Sequence, residues 1–174
     1  MLATVIVVLA VAALPQDSTA AAPPRDTAPQ PPTLEQVRYL EGLRSVARGA
    51  AQLRDGIDRV SRTQQARDTL RQKQAGRRLG GLCTTARRFM ASGRPGMRPT
   101  AYTDSMRVVA RQLTARVDSV LKFLPTCETT AGKKPASVAS DLLNRMRAYE
   151  TALAAFRTGL APPRSDSIKT PSQQ

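Results

Sequence analysis

Apolar residues recur every three or four positions along most of this chain, and no stretch alternates with the period of two that a half-buried strand requires. Tyr39, Leu43, Val46, Ala47, Ala50, Leu53, Ile57 and Val60 fall within one stripe at the helical angle, so one face of residues 34–61 is expected to be buried. Arg44, Arg48, Arg59 and Arg62 lie on the other side. The start is marked by "PTLEQ", in which Thr33 caps the first turn and Gln36 completes a capping box. Further on, Met106, Val109, Ala110, Leu113, Val117, Val120, Leu121 and Leu124 make the cleanest stripe. Pro125 is expected to end that helix because proline has no N–H to donate. A last helix follows Pro135, with Val138, Leu142, Met146, Tyr149, Leu153, Phe156 and Leu160 on one face and Gly159, Pro162 and Pro163 at its end.

The second segment is weaker. From Ser61 to Arg78 only Ala66, Leu70 and Ala75 are apolar, and then Leu79, Leu82, Cys83, Ala86, Phe89 and Met90 begin a new stripe. Gly76, Gly80 and Gly81 stand at the change, and each costs a helix interior about 1 kcal/mol relative to alanine. The prediction is an all-α fold, a four-helix bundle over residues 34–160 with a kinked or broken second helix.

Residues 2–14, "LATVIVVLAVAAL", are uncharged but shorter than the roughly 20 residues of a membrane span. They read as a signal-peptide core, with an atypical anchor as the alternative, and "DSTAAA" supplies small residues for cleavage after Ala20 or Ala22. We assign residues 1–20 to that signal, 21–33 to a proline-rich linker and 161–174 to a tail. Linker and tail are expected to be disordered, because their composition offers too little apolar surface to offset the entropy of ordering.

Export to the periplasm or the medium bears on the two cysteines. In an oxidising compartment Cys83 and Cys127 are expected to form a disulfide. A short hairpin of helices would leave them roughly 25 Å apart, far beyond the ~7 Å that a bridge tolerates between Cα atoms. The bond therefore requires "SGRPGMRPT", residues 92–100, to run extended along the bundle as a crossover.

Histidine is absent, which removes the usual general base and the commonest metal ligand. There is no haem-attachment motif, no paired Glu and Glu-x-x-His pattern, and no phosphate-binding glycine loop, so no cofactor, metal or catalytic residue is expected.

Charge is the remaining signal. The formal net charge is +14, and no acid occurs between Asp68 and Asp104 while Arg71, Lys73, Arg77, Arg78, Arg87, Arg88, Arg94 and Arg98 do. This basic amphipathic segment is expected to contact an anionic lipid, an acidic glycan or an acidic protein. Nucleic acid is disfavoured by export and by the lack of interleaved aromatics.

At the first helix start, "TLEQ" resembles the L-T-x-x-Q signature of small periplasmic helical stress chaperones of the Spy and CpxP type, with Pro32 where that family has leucine. Two expectations result. One is a non-enzymatic exported bundle with a structural or interaction role; the alternative is a chaperone-like binder of unfolded or hydrophobic clients. A closed bundle favours the first, and an exposed concave apolar surface favours the second.

Overall fold

A computed structural model describes residues 31–66 and 68–161; the signal assigned to 1–20, the linker up to residue 30 and the tail from 162 lie outside the described residues. All regular structure among the described residues is helical: α1 (Leu34–Gln65), α2 (Thr69–Gly93), α3 (Asp104–Thr130) and α4 (Pro135–Leu160), with 3-10 turns at Arg94–Gly96 and Pro99–Ala101. The capping box forms as its residues predict. Thr33 N–H donates to Gln36 Oε1 at 2.9 Å and Gln36 N–H donates to Thr33 Oγ1 at 3.3 Å, so both residues of the "TLEQ" resemblance serve the helix start.

The helices alternate in direction. Gly42 meets Gly93, Gly49 meets Ala86 and Gly56 meets Leu79, which makes α1 and α2 antiparallel. Cys83 is bonded to Cys127 while Arg94 pairs with Asp118, which does the same for α2 and α3. Arg145 reaches Ser119 and Gly159 lies on Met106, so α4 runs back along α3. One continuous core fills the space between them, with Tyr39, Val46, Leu53, Leu79, Met90, Leu113, Val117, Leu124, Leu142, Met146 and Phe156 all buried. Each such side chain contributes about 1.5–3 kcal/mol by leaving water.

Glycine sets the spacing between helices. Gly42, Gly49 and Gly56 recur every seventh residue of α1, and a Cβ added at Gly49 would stand 2.7 Å from Met90 Cγ and 2.8 Å from the Ala86 carbonyl oxygen. At Gly42 and Gly93 an added Cβ would fall on the other helix's backbone carbonyl. On another face of α2, Gly76 and Gly80 lie against the Ala131 and Glu128 carbonyls. The backbone of α2 stays helical through Gly76, Gly80 and Gly81, and the break lies ahead of it, between the α1 cap at Ala66 and the α2 cap at Asp68.

That close approach explains the disulfide. Cys83 follows Gly80 by one turn on the α3-facing side, and the bonded cysteines have Cα atoms 6.2 Å apart. Closing a loop of this size, with a sequence separation of 44, stabilises by about 4 kcal/mol on the chain-entropy account. With Asp118 opposite Arg94, α3 must begin some 21 Å further along the bundle, at Asp104. The segment after Gly93 covers that distance as 3-10 turns rather than extended chain. Gly96 packs on Arg38, and Tyr102 stacks edge-on against Tyr39 with ring centroids 5.2 Å apart.

Two sequence expectations are corrected. Helix α1 continues past residue 61 to Gln65. Pro125 does not end α3, which runs on to Thr130. Proline costs a helix interior about 3 kcal/mol, but Pro125 lies on the exposed side while Leu124 and Cys127 on either side of it are buried. Burial and the disulfide together hold the last turn.

Tyr39, Tyr102 and Phe156 close the end of the bundle where α1 begins. Tyr39 donates to the Ala110 carbonyl at 3.1 Å, whereas the buried hydroxyls of Tyr102 and Tyr149 have no protein partner. Burial pushes the phenols of Tyr39 and Tyr149 up, and burial together with the neighbouring Tyr39 pushes Tyr102 to about 12.

Alanine substitutions separate propensity from packing. Gly81 has open space around it, so Gly81→Ala should stabilise by about 1 kcal/mol. Gly49→Ala should destabilise by about 1–3 kcal/mol, since the close contact outweighs the gain in helix propensity. Urea unfolding measures both, and a stabilising Gly49→Ala would show that α1 and α2 are not held at this distance.

The tyrosines set a limit at high pH. Their folded-state pKa values lie above the unfolded value near 10, so the stability they carry is complete below about pH 10 and is lost as pH rises toward 12. Tyr102→Phe should leave stability at neutral pH unchanged or higher, because it removes a buried unpartnered hydroxyl, and should flatten the alkaline decline. Urea midpoints across pH 8–12 provide the check; an unchanged slope in the variant would count against the assignment.

Candidate functional site

The α1–α2 hairpin projects beyond the end of α3. Gly76 is level with Ala131, just past the last residue of α3, so the first turns of α2 and the last turns of α1 extend further than their neighbours. On α1, Arg59, Arg62 and Thr63 share a helical face; on α2, Arg71, Gln74, Ala75 and Arg78 share another. These faces meet and line one groove of about 340 Å³. Gln72 Nε2 donates to the Thr63 carbonyl at 3.3 Å and ties the two arms together behind it.

More basic side chains border this end. Lys73 and Arg77 line an adjoining recess with Asp68, Leu70 and Arg71. Arg77 also lies along Gly132 and shares a third groove with Lys133 and Glu128. Leu70, 77% exposed, is the most exposed large apolar residue of the described chain and stands among these cations.

The structure divides the basic segment into separate places. Arg71, Lys73, Arg77 and Arg78 belong to the projecting end. Arg88 is exposed part-way along α2, and Arg98 sits toward the opposite end, in a groove with Glu35 and Arg38. Arg87 and Arg94 are not free. The Arg87 guanidinium donates twice to Glu128, at 2.7 and 3.1 Å, and that of Arg94 donates twice to Asp118, at 2.5 and 2.8 Å. The hydrogen bond that Arg94 donates to Asp118 raises the pKa of Arg94. Charge that has no acid nearby in sequence is thus compensated from α3.

Among the described residues, Arg71 pairs with Asp68 at 3.2 Å and Arg59 with Asp55 at 2.9 Å, while Arg62, Lys73, Arg77, Arg78 and Lys133 have no ion pair. Arg59, Arg62 and Lys133 are the members that the linear reading missed. Arg59 and Arg62 were assigned to the solvent side of the first helix, and they are exposed there, but that side also borders α2. The short connection at residues 66–68 is the signal that brings positions on either side of it together.

No protein-family model, curated protein or solved structure matches this chain. Among the described residues no three His, Cys, Asp or Glu side chains gather as a metal site would require, and no helix is long and apolar enough to cross a membrane.

Proposed function

We propose that this protein is a non-enzymatic, exported helical bundle that binds an anionic surface through its projecting basic end. The observation that carries this reading is the meeting of Arg59 and Arg62 with Arg71 and Arg78, bordered by Lys73, Arg77 and Lys133, at one end of a closed bundle. Exposed Leu70 among these cations favours a lipid surface, where an apolar side chain inserts while basic groups meet the headgroups. Acidic glycans and acidic proteins offer the charge without a place for Leu70. The disulfide accords with an oxidising compartment, periplasmic or extracellular.

The chaperone-like alternative calls for a concave apolar surface. Among the described residues the large exposed apolar side chains are instead scattered, at Leu34, Leu70, Val108 and Leu160, and the rest of the apolar stripes is buried or packed against the core. Interaction with a surface is therefore the better supported reading.

Vesicle binding tests it. Basic residues near an anionic membrane contribute about 1 kcal/mol each and act within a Debye length of ~8 Å at physiological salt. The protein should sediment with anionic vesicles at low salt, weakly at high salt, and not with zwitterionic ones. Replacing Lys73, Arg77 and Lys133 with Gln should weaken this about tenfold or more, while Arg38→Gln with Arg98→Gln at the other end should change it little. Equal losses from the two sets would mean that net charge alone drives association, and no binding at low salt would sink the proposal.

A further inference from the structure

The groove between α1 and α2 has a more specific charge balance than the surface around it. Arg59 and Arg71 each have a carboxylate, Asp55 at 2.9 Å and Asp68 at 3.2 Å. Arg62 and Arg78 face the same groove with no ion pair among the described residues. Among the described residues, two of the four guanidinium groups thus have an ion-paired carboxylate and two do not. All four cations are arginine, whose planar fork donates two parallel hydrogen bonds to a tetrahedral oxyanion, whereas lysine offers only a point charge. The lysines of this end, Lys73 and Lys133, lie outside the groove. Ala75 leaves room in the groove, and Gln74 supplies a neutral donor beside the arginines, while the Thr63 hydroxyl donates to the Val60 carbonyl at 2.8 Å.

We infer that this groove is a binding site for the phosphoryl group of a phosphomonoester. A phosphomonoester carries about −1.5 to −2 charges near neutral pH and three terminal oxygens, which match two uncompensated guanidinium groups. A phosphodiester, a sulfate ester and a carboxylate each carry one negative charge and leave one arginine unsatisfied. The inference rests on the reading of this end as anion-binding and adds the ligand class and the residues that select it. Arg62 and Arg78 grip the phosphoryl oxygens, and Asp55 and Asp68 hold Arg59 and Arg71 in place at its sides.

The test compares headgroups at matched surface charge. The disulfide-bonded protein is titrated with vesicles containing phosphatidic acid, a phosphomonoester, or phosphatidylglycerol, a phosphodiester, and separately with methyl phosphate against dimethyl phosphate by thermal shift. Phosphatidic acid should be preferred about tenfold, the size of one solvent-exposed charge-assisted hydrogen bond. Arg62→Gln with Arg78→Gln should abolish the preference, so that phosphatidic acid and phosphatidylglycerol are bound equally and both more weakly than by the wild type. Arg62→Lys with Arg78→Lys should also lose most of it, although the charge is unchanged; circular dichroism confirms that both variants remain folded. Equal binding to the two lipids would overturn the phosphomonoester site and leave surface binding standing. Binding to neither vesicle, with methyl phosphate still stabilising the wild type more than dimethyl phosphate, would overturn the surface reading and support the same site with a soluble ester as its source. A preference that survives both double variants would place the selectivity elsewhere and overturn the assignment.

Discussion

Helix α2 has to lie close to two neighbours at once, and what permits this is the side chains it lacks. Gly93 and Ala86 face Gly42 and Gly49 of α1, while Gly76 and Gly80 face the end of α3. A spacing of seven returns to nearly the same helix face, so α1 presents backbone rather than side chain to α2 along three contacts. At Gly42 and Gly49 the backbone carbonyls of Gly93 and Ala86 lie within reach of any added Cβ and cannot move aside as a side chain can, and protein interiors are too dense to yield much elsewhere. The register of α1 against α2 is therefore fixed by shape. Cys83–Cys127 then fixes α3 against α2 at a single point.

Much of the remaining architecture is a consequence of that register. With Cys83 opposite Cys127, the chain leaving Gly93 has to climb along α1 before α3 can begin, and the 3-10 turns with their longer rise per residue do so economically. At the other end the same register leaves the α1–α2 hairpin projecting past Thr130. The cations on the hairpin stay in solvent, where two unit charges 4 Å apart repel by only about 1 kcal/mol. A core with Leu53, Leu79, Leu113 and Leu142 fully buried, closed by a disulfide, carries that repulsion without distortion. An anion bound there, as proposed, would relieve it.

Local pattern made three of the four helices legible. The stripes of α1, α3 and α4 correspond to buried residues such as Val46, Val117 and Met146, and Thr33 with Gln36 caps as its spacing implies. What the pattern missed is non-local. Gly42, Gly49 and Gly56 are visible in the sequence, yet helix propensity scores each glycine alone, and the compensating contact belongs to another helix. Pro125 is a stop signal by itself, but its neighbours Leu124 and Cys127 are held in the core. The run without acids between Asp68 and Asp104 has charge partners in Asp118 and Glu128, which lie close only after α3 folds back on α2. For the same reason the basic segment divides, and Arg98 finishes far from Arg78.

The two ends of the bundle consequently do different work. At one, Tyr39, Tyr102 and Phe156 pack as a dry aromatic cap beside Thr33, where the chain enters the first helix. At the other, the hairpin holds its arginines in water around a groove. Helix α1 alone spans the interval, and its 32 residues measure roughly 48 Å. A rod of this length, held by glycine contacts and a covalent bridge, keeps the basic end a helix's length from Thr33. The groove and the aromatic cap therefore share no residue.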